Sequence, residues 1–115
     1  MAVNLTLPSR KQGRQVAEGQ QRQGAGESIP YAITTTPWGA SPTSISFEAY
    51  EYVNSNALGS DVTASVATGS ASATGDIITL PNIHALTAGT LYRVVVTFTS
   101  GSATYQPWFE IQAEV

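Results

Sequence analysis

The stretch from Leu86 to Val96, Leu-Thr-Ala-Gly-Thr-Leu-Tyr-Arg-Val-Val-Val, constrains the fold more than any other part of this chain. It reads as a loop rising into a strand, with Tyr92 two residues before an alternating apolar run. In two-sheet β-sandwiches a tyrosine at such a point folds back and hydrogen-bonds the preceding corner. The remaining pattern agrees. Ile29 to Thr36 is β-branched-rich, and Pro37 to Pro42 is a loop bracketed by prolines. In Thr43 to Val53, Ile45, Phe47 and Ala49 alternate with Ser46, Glu48 and Tyr50, which is the mark of a strand with one wet face. Asn54 to Ser60 reads as a turn, Val62, Ala64 and Val66 as a further alternation, and Ile77 to Leu80 as a short strand. The last strand spans about Ala103 to Ala113 and contains Pro107, which cannot donate to a ladder and so predicts a sheet edge or a bulge. About seven short strands with no helical period predict an all-β, antiparallel sandwich.

The first 28 residues are different. Between Pro8 and Ser28 the only aliphatic side chain larger than alanine is Val16, so this segment has little to bury. It is expected to form an extended N-terminal arm (residues 1–28) on a sandwich body (residues 29–115). The only helical turn allowed lies within it, from Arg14 to Gln23. Charge follows the same division. Residues 1–28 carry Arg10, Lys11, Arg14 and Arg22 against two acids, whereas residues 29–115 carry Arg93 alone against six. Charged residues make up only 11% of the chain, a surface suited to touching other protein. There is no cysteine, hence no disulfide and no thiolate chemistry. No apolar run approaches a bilayer's thickness, and Met1 to Leu5 lacks the form of a signal peptide, so the expectation is a protein used without secretion and without a membrane.

The polar residues offer no reaction. His84 is the single histidine and lacks partners for a metal site or a triad. Asp61 and Asp76 sit where turns need them, and Glu48 and Glu51 fall on opposite faces of a strand. The glycines of the arm are not followed by the Lys-Ser or Lys-Thr of a phosphate loop. A weakly basic arm with no interleaved aromatic residue argues against nucleic acid. The chain is therefore read as non-enzymatic, with no cofactor and no metal. Contact residues are the better prospect. Val3, Leu5 and Leu7 alternate and can add a strand to a sheet, with Arg10, Lys11, Arg14 and Arg22 meeting acidic surface. Tyr50, Tyr52 and Trp108 lie on the outer phase of their strands, where aromatic residues serve protein contacts. Trp38, beside Pro37, is expected in the core.

Leu86-x-x-Gly89-Thr90-x-Tyr92-x-Val94-x-Val96 resembles the corner of fibronectin type III and related immunoglobulin-like domains. Thr35 to Gly39, Ser41 to Thr43, Asp61 to Ala64, Gly75 to Pro81 and Leu86 through Phe98 resemble the small immunoglobulin-like proteins of tailed-bacteriophage structural modules, a likeness spanning about residues 30–112. The resemblance implies an immunoglobulin-like sandwich in a virion protein assembled in the host cytoplasm. A capsid decoration (cement) subunit is the leading reading, gripping the major capsid protein through the arm and with homo-oligomerisation open. A head–tail joining or tail accessory protein is the alternative within that class. An adhesin or carbohydrate-binding module using Tyr50, Tyr52 or Trp108 is the alternative from another.

Overall fold

The computed structural model describes residues 3–8, 14–54 and 57–115. These form ten strands: β1 (Val3–Thr6), β2 (Gln21–Gly24), β3 (Tyr31–Thr34), β4 (Thr43–Asn54), β5 (Ala57–Asp61), β6 (Ser72–Thr74), β7 (Ile77–Thr79), β8 (Leu91–Ser100), β9 (Ala103–Tyr105) and β10 (Trp108–Glu114). One sheet has the order β1-β3-β7-β6. The other runs β2-β10-β8-β4-β5, with β9 also on β8. The two sheets pack together as an all-β sandwich. Strict alternation on β8 makes its logic visible, with Tyr92, Val94, Val96 and Phe98 buried between the sheets and their neighbours half-buried on the outer face. Phe109 and Ile111 of β10 face the same interior, and Tyr31 of β3 packs its ring 5.1 Å from that of Phe109.

The tyrosine corner is present as the sequence predicts. The Thr87 N–H donates to the Tyr92 hydroxyl at 2.8 Å, and Gly89, at φ 88°, takes the left-handed turn that a side chain would resist. Pro107 likewise marks an interruption. β9 and β10 both pair with β8 but are separated by Gln106 and Pro107, whose carbonyl accepts from the Val96 N–H. Trp38 is buried, and its indole N–H donates to the Pro8 carbonyl at 2.7 Å.

The first 28 residues correct the expectation. β1 pairs in parallel with β3, and β2 in parallel with β10, so the sheets are mixed rather than purely antiparallel. Leu5, Leu7 and Val16 are 1%, 3% and 3% exposed and belong to the core. The described residues of this segment are thus part of the sandwich, in place of a separate arm, because the open edges of β3 and β10 supply backbone partners and the gap between the sheets takes the apolar side chains. β1 and β2 run in opposite directions and straddle one flank of the sandwich, one strand in each sheet. The Ala17 N–H donates to the Thr6 carbonyl, and the Thr6 N–H to the Glu18 carboxylate at 2.7 Å, closing that flank. Val3 lies level with Tyr31 at the start of β3, and Gly24 with Glu114 at the end of β10. The first and last strands therefore open toward the same end of the molecule.

Two further expectations change. Val62 to Val66 is not a strand, since Thr63–Val66 forms a helical turn, α1. Asp61 starts it by accepting from the Thr63 N–H and hydroxyl, a turn role consistent with its position. Val62 and Val66, four apart, fit a helical face as well as a strand face, and Ala64 is left exposed. The Arg14 to Gln23 segment, where a helical turn was allowed, instead leads into β2. The Asn54 to Ser60 turn contains most of β5, an edge strand paired with β4 through irregular register; Ser55 and Asn56 lie outside the described residues.

Candidate functional site: the outer face of the larger sheet

The central strands β10, β8 and β4 bring one cluster together on the outward face of the larger sheet. Arg93 of β8 stands opposite Glu110 on β10 and opposite Tyr50 on β4. Its Nε donates to the Tyr52 hydroxyl at 2.9 Å, and that hydroxyl in turn donates to the Glu110 carboxylate. The guanidinium carbon lies 3.9 Å from the centre of the Trp108 ring and 5.5 Å from that of Tyr52. Arg93, Tyr52, Trp108 and Glu110 are all half-buried, held by strand pairing on both sides of β8. Cation–π contact and a charge-assisted hydrogen bond orient the guanidinium in advance. Burial raises the Tyr52 phenol above its ordinary range, with the Glu110 hydrogen bond adding to it and Arg93 opposing. Tyr50 is raised too, by burial first and then by the hydrogen bond and charge of Glu48 and the charge of Asp61.

Of the residues singled out in the sequence, Tyr50, Tyr52 and Trp108 come together here. Leu5 and Leu7 do not. They are consumed by the protein's own core, where β1 lies on β3. Val3 stays 37% exposed at the start of β1. Arg22 is on the same sheet but pairs with Glu114 at 2.7 Å, an exposed ion pair of small energetic weight. Arg14 is exposed, and its carbonyl accepts from the Trp108 N–H. Arg10 and Lys11 lie outside the described residues. Arg93 and Glu110 are the residues that sequence reasoning missed. Their signal was available, since Arg93 is the lone basic residue after position 28 and shares the outer phase of β8 with Leu91 and Val95.

The cluster is a preordered group of contact-type side chains on the outward face of the sheet. Within it the Tyr52 hydroxyl is hydrogen-bonded to both the Glu110 carboxylate and the Arg93 guanidinium. His84 sits in the connection before β8, where its backbone N–H donates to Val66. Asp76 pins the Pro37 to Pro42 loop by accepting from the Thr36 hydroxyl and the Ser41 N–H. Among the described residues no three metal-ligating side chains converge, and no helix is long and apolar enough to cross a membrane. One face of the Trp108 ring is covered by Arg93, which removes that face as a stacking platform for a sugar. A groove of about 590 Å³ on the other flank runs between Ile45 and Phe47 of β4 and the chain from Thr63 to Ala71. Comparison with known proteins adds no relative: no family model matches the chain, and no curated protein is significantly similar to it.

Proposed function

We propose that this chain is a non-enzymatic structural subunit of a tailed-phage virion, a capsid decoration protein that docks on the major capsid protein with the outer face of its larger sheet. The observation that carries this reading is the Tyr52–Arg93–Trp108–Glu110 cluster, with Tyr50 beside it. Arginine, tryptophan and tyrosine are the residue types that dominate interface energies, and here they are already ordered, so little side-chain entropy is lost on docking. The low charge density of the chain and the likeness of residues 30–112 to phage immunoglobulin-like proteins support the same reading. Docking through residues 1–28 is not part of it, because Leu5 and Leu7 are buried within the subunit.

Co-sedimentation with capsids of the encoding phage tests the proposal. Arg93→Ala and Trp108→Ala are expected to keep the circular dichroism of the parent and to lose binding about 30-fold or more, the weight of a central contact residue. Parent-like binding by both variants would remove the docking face. Failure of the parent protein to bind capsids at all would remove the virion reading. Many copies spread over the shell mark a decoration protein, whereas a few at one vertex mark a head–tail joining protein.

A further inference from the structure

On the flank of the larger sheet away from β2, the edge of β4 is only half covered. β5 pairs with β4 from Tyr50 to Asn54 and then leaves it, and α1 takes over at Ala49. The Ala49 N–H donates to the Thr63 hydroxyl, and its carbonyl accepts from the Val62 N–H. Past Ala49 the edge is open. Backbone groups of successive strand residues turn to alternate sides, and the Val96 N–H is turned to Pro107, away from β4. Phe47, level with Val96, therefore points its own N–H and carbonyl away from β8, and β5 does not extend far enough to meet them. The groove of about 590 Å³ lies against this stretch. Ile45 and Phe47, half-buried against the core, form one wall, and the chain from Thr63 to Ala71 forms the other, with no lining side chain larger than threonine.

We propose that this groove receives an extended segment of a partner protein, laid on β4 as an added strand in the line that β5 vacates. The paired donor and acceptor at Phe47 match a strand backbone, and main-chain hydrogen bonds of this kind supply the grip in strand addition. The small far wall leaves room for that backbone, while Ile45 and Phe47 offer apolar surface to its small side chains. Charge completes the match. No lining residue is charged. The charged residues that adjoin the lining in sequence, Glu48 and Asp61, are both acidic, and neither forms an ion pair among the described residues. Asp61 is held below the ordinary carboxylate range by the hydroxyl and N–H of Thr63, so it stays ionised beside the groove. The fitting segment is thus small and apolar along the groove and carries lysine or arginine at the end that reaches Thr63. The groove is separate from the Arg93 cluster, so this proposal and the docking face stand or fall independently.

The test uses two capped probe peptides, Lys-Thr-Val-Ala-Val-Thr and the same sequence reversed, added at up to millimolar concentration to the isotope-labelled full chain. Either peptide is expected to shift the amide resonances of residues 45–47 and 67–71. It should also slow hydrogen exchange at the Phe47 amide, which is fast without peptide. Ser70→Trp, at an exposed position on the far wall, is expected to weaken binding about tenfold by filling the groove. Replacing the peptide lysine by glutamate should cost about as much, because it sets like charges together. Absence of any shift with both peptides overturns the proposal, as do shifts confined to the Arg93 face. So does a Phe47 amide already slow to exchange in the free chain, or binding indifferent to both substitutions. If Ser70→Trp does not fold, the Phe47 amide and the lysine-to-glutamate replacement decide.

Discussion

Gln23 is 1% exposed and sits among apolar side chains, yet its amide is fully used. Its Nε2 donates to the carbonyls of Ile83 and Glu27 at 2.7 and 3.0 Å, and its Oε1 accepts from the Tyr31 hydroxyl at 2.9 Å. One side chain thus ties β2 in one sheet to β3 in the other. Gln23→Leu is expected to cost about 1–3 kcal/mol, because it strands the buried Tyr31 hydroxyl and takes one of two hydrogen bonds from the Ile83 carbonyl. Urea unfolding should show this as a lower midpoint at unchanged slope. Tyr31 adds a pH dependence. Its phenol is pushed up to about 12, by burial first and then by the nearby Glu27 carboxylate. The folded state therefore holds this proton more tightly than the unfolded chain, where tyrosine titrates near 10. The corresponding stability is complete below about pH 10 and is lost as pH rises toward 12. Tyr31→Phe should accordingly lose less stability than the parent over that interval, measured by unfolding at each pH. The two residues differ from Tyr92 in how legible they were. Tyr92 meets Thr87, five residues away, and a local pattern records such a contact. Gln23 meets Ile83 across 60 residues, and within a glutamine-rich segment nothing marks it as the buried one.

At the level of elements, strands with their own hydrophobic alternation were readable, and strands held mainly by what they lie against were not. β4, β8 and β10 carry their period in the sequence, whereas β2 (Gln-Arg-Gln-Gly) and β5 (Ala-Leu-Gly-Ser-Asp) exist because β10 and β4 offer open backbone edges. β1 is the instructive intermediate. Its alternation was plain, but alternation identifies a strand with an apolar face and says nothing about which sheet covers that face. Here the covering sheet is the chain's own. Leu5→Ala is expected to cost about 2–5 kcal/mol, as for other buried leucines, and thermal melting measures it. Deleting residues 1–28 should do more, abolishing the cooperative melt, since it removes Leu5, Leu7, Val16 and Gln23 from the interior together.

For the molecule as a whole, strand spacing and the corner motif were enough to recover the sandwich, because few arrangements bury so many short amphipathic strands. The candidate site was half recovered. Phase placed Tyr50, Tyr52 and Trp108 outward, but bringing Arg93 and Glu110 among them depends on the register of β10, β8 and β4, which only the paired sheet defines. That sheet leaves the Arg93 cluster on its flat side and the loops at its poles. The poles are not equivalent. The beginning of β1 and the end of β10 emerge together at one of them, while the Pro37 to Pro42 loop lies at the other, where the Ala40 carbonyl accepts from the Ser100 hydroxyl near the turn between β8 and β9. A label or cargo attached at Val3 or at Val115 would hang from the same pole. With either attachment the far pole stays clear, which makes this sandwich a natural one-ended handle.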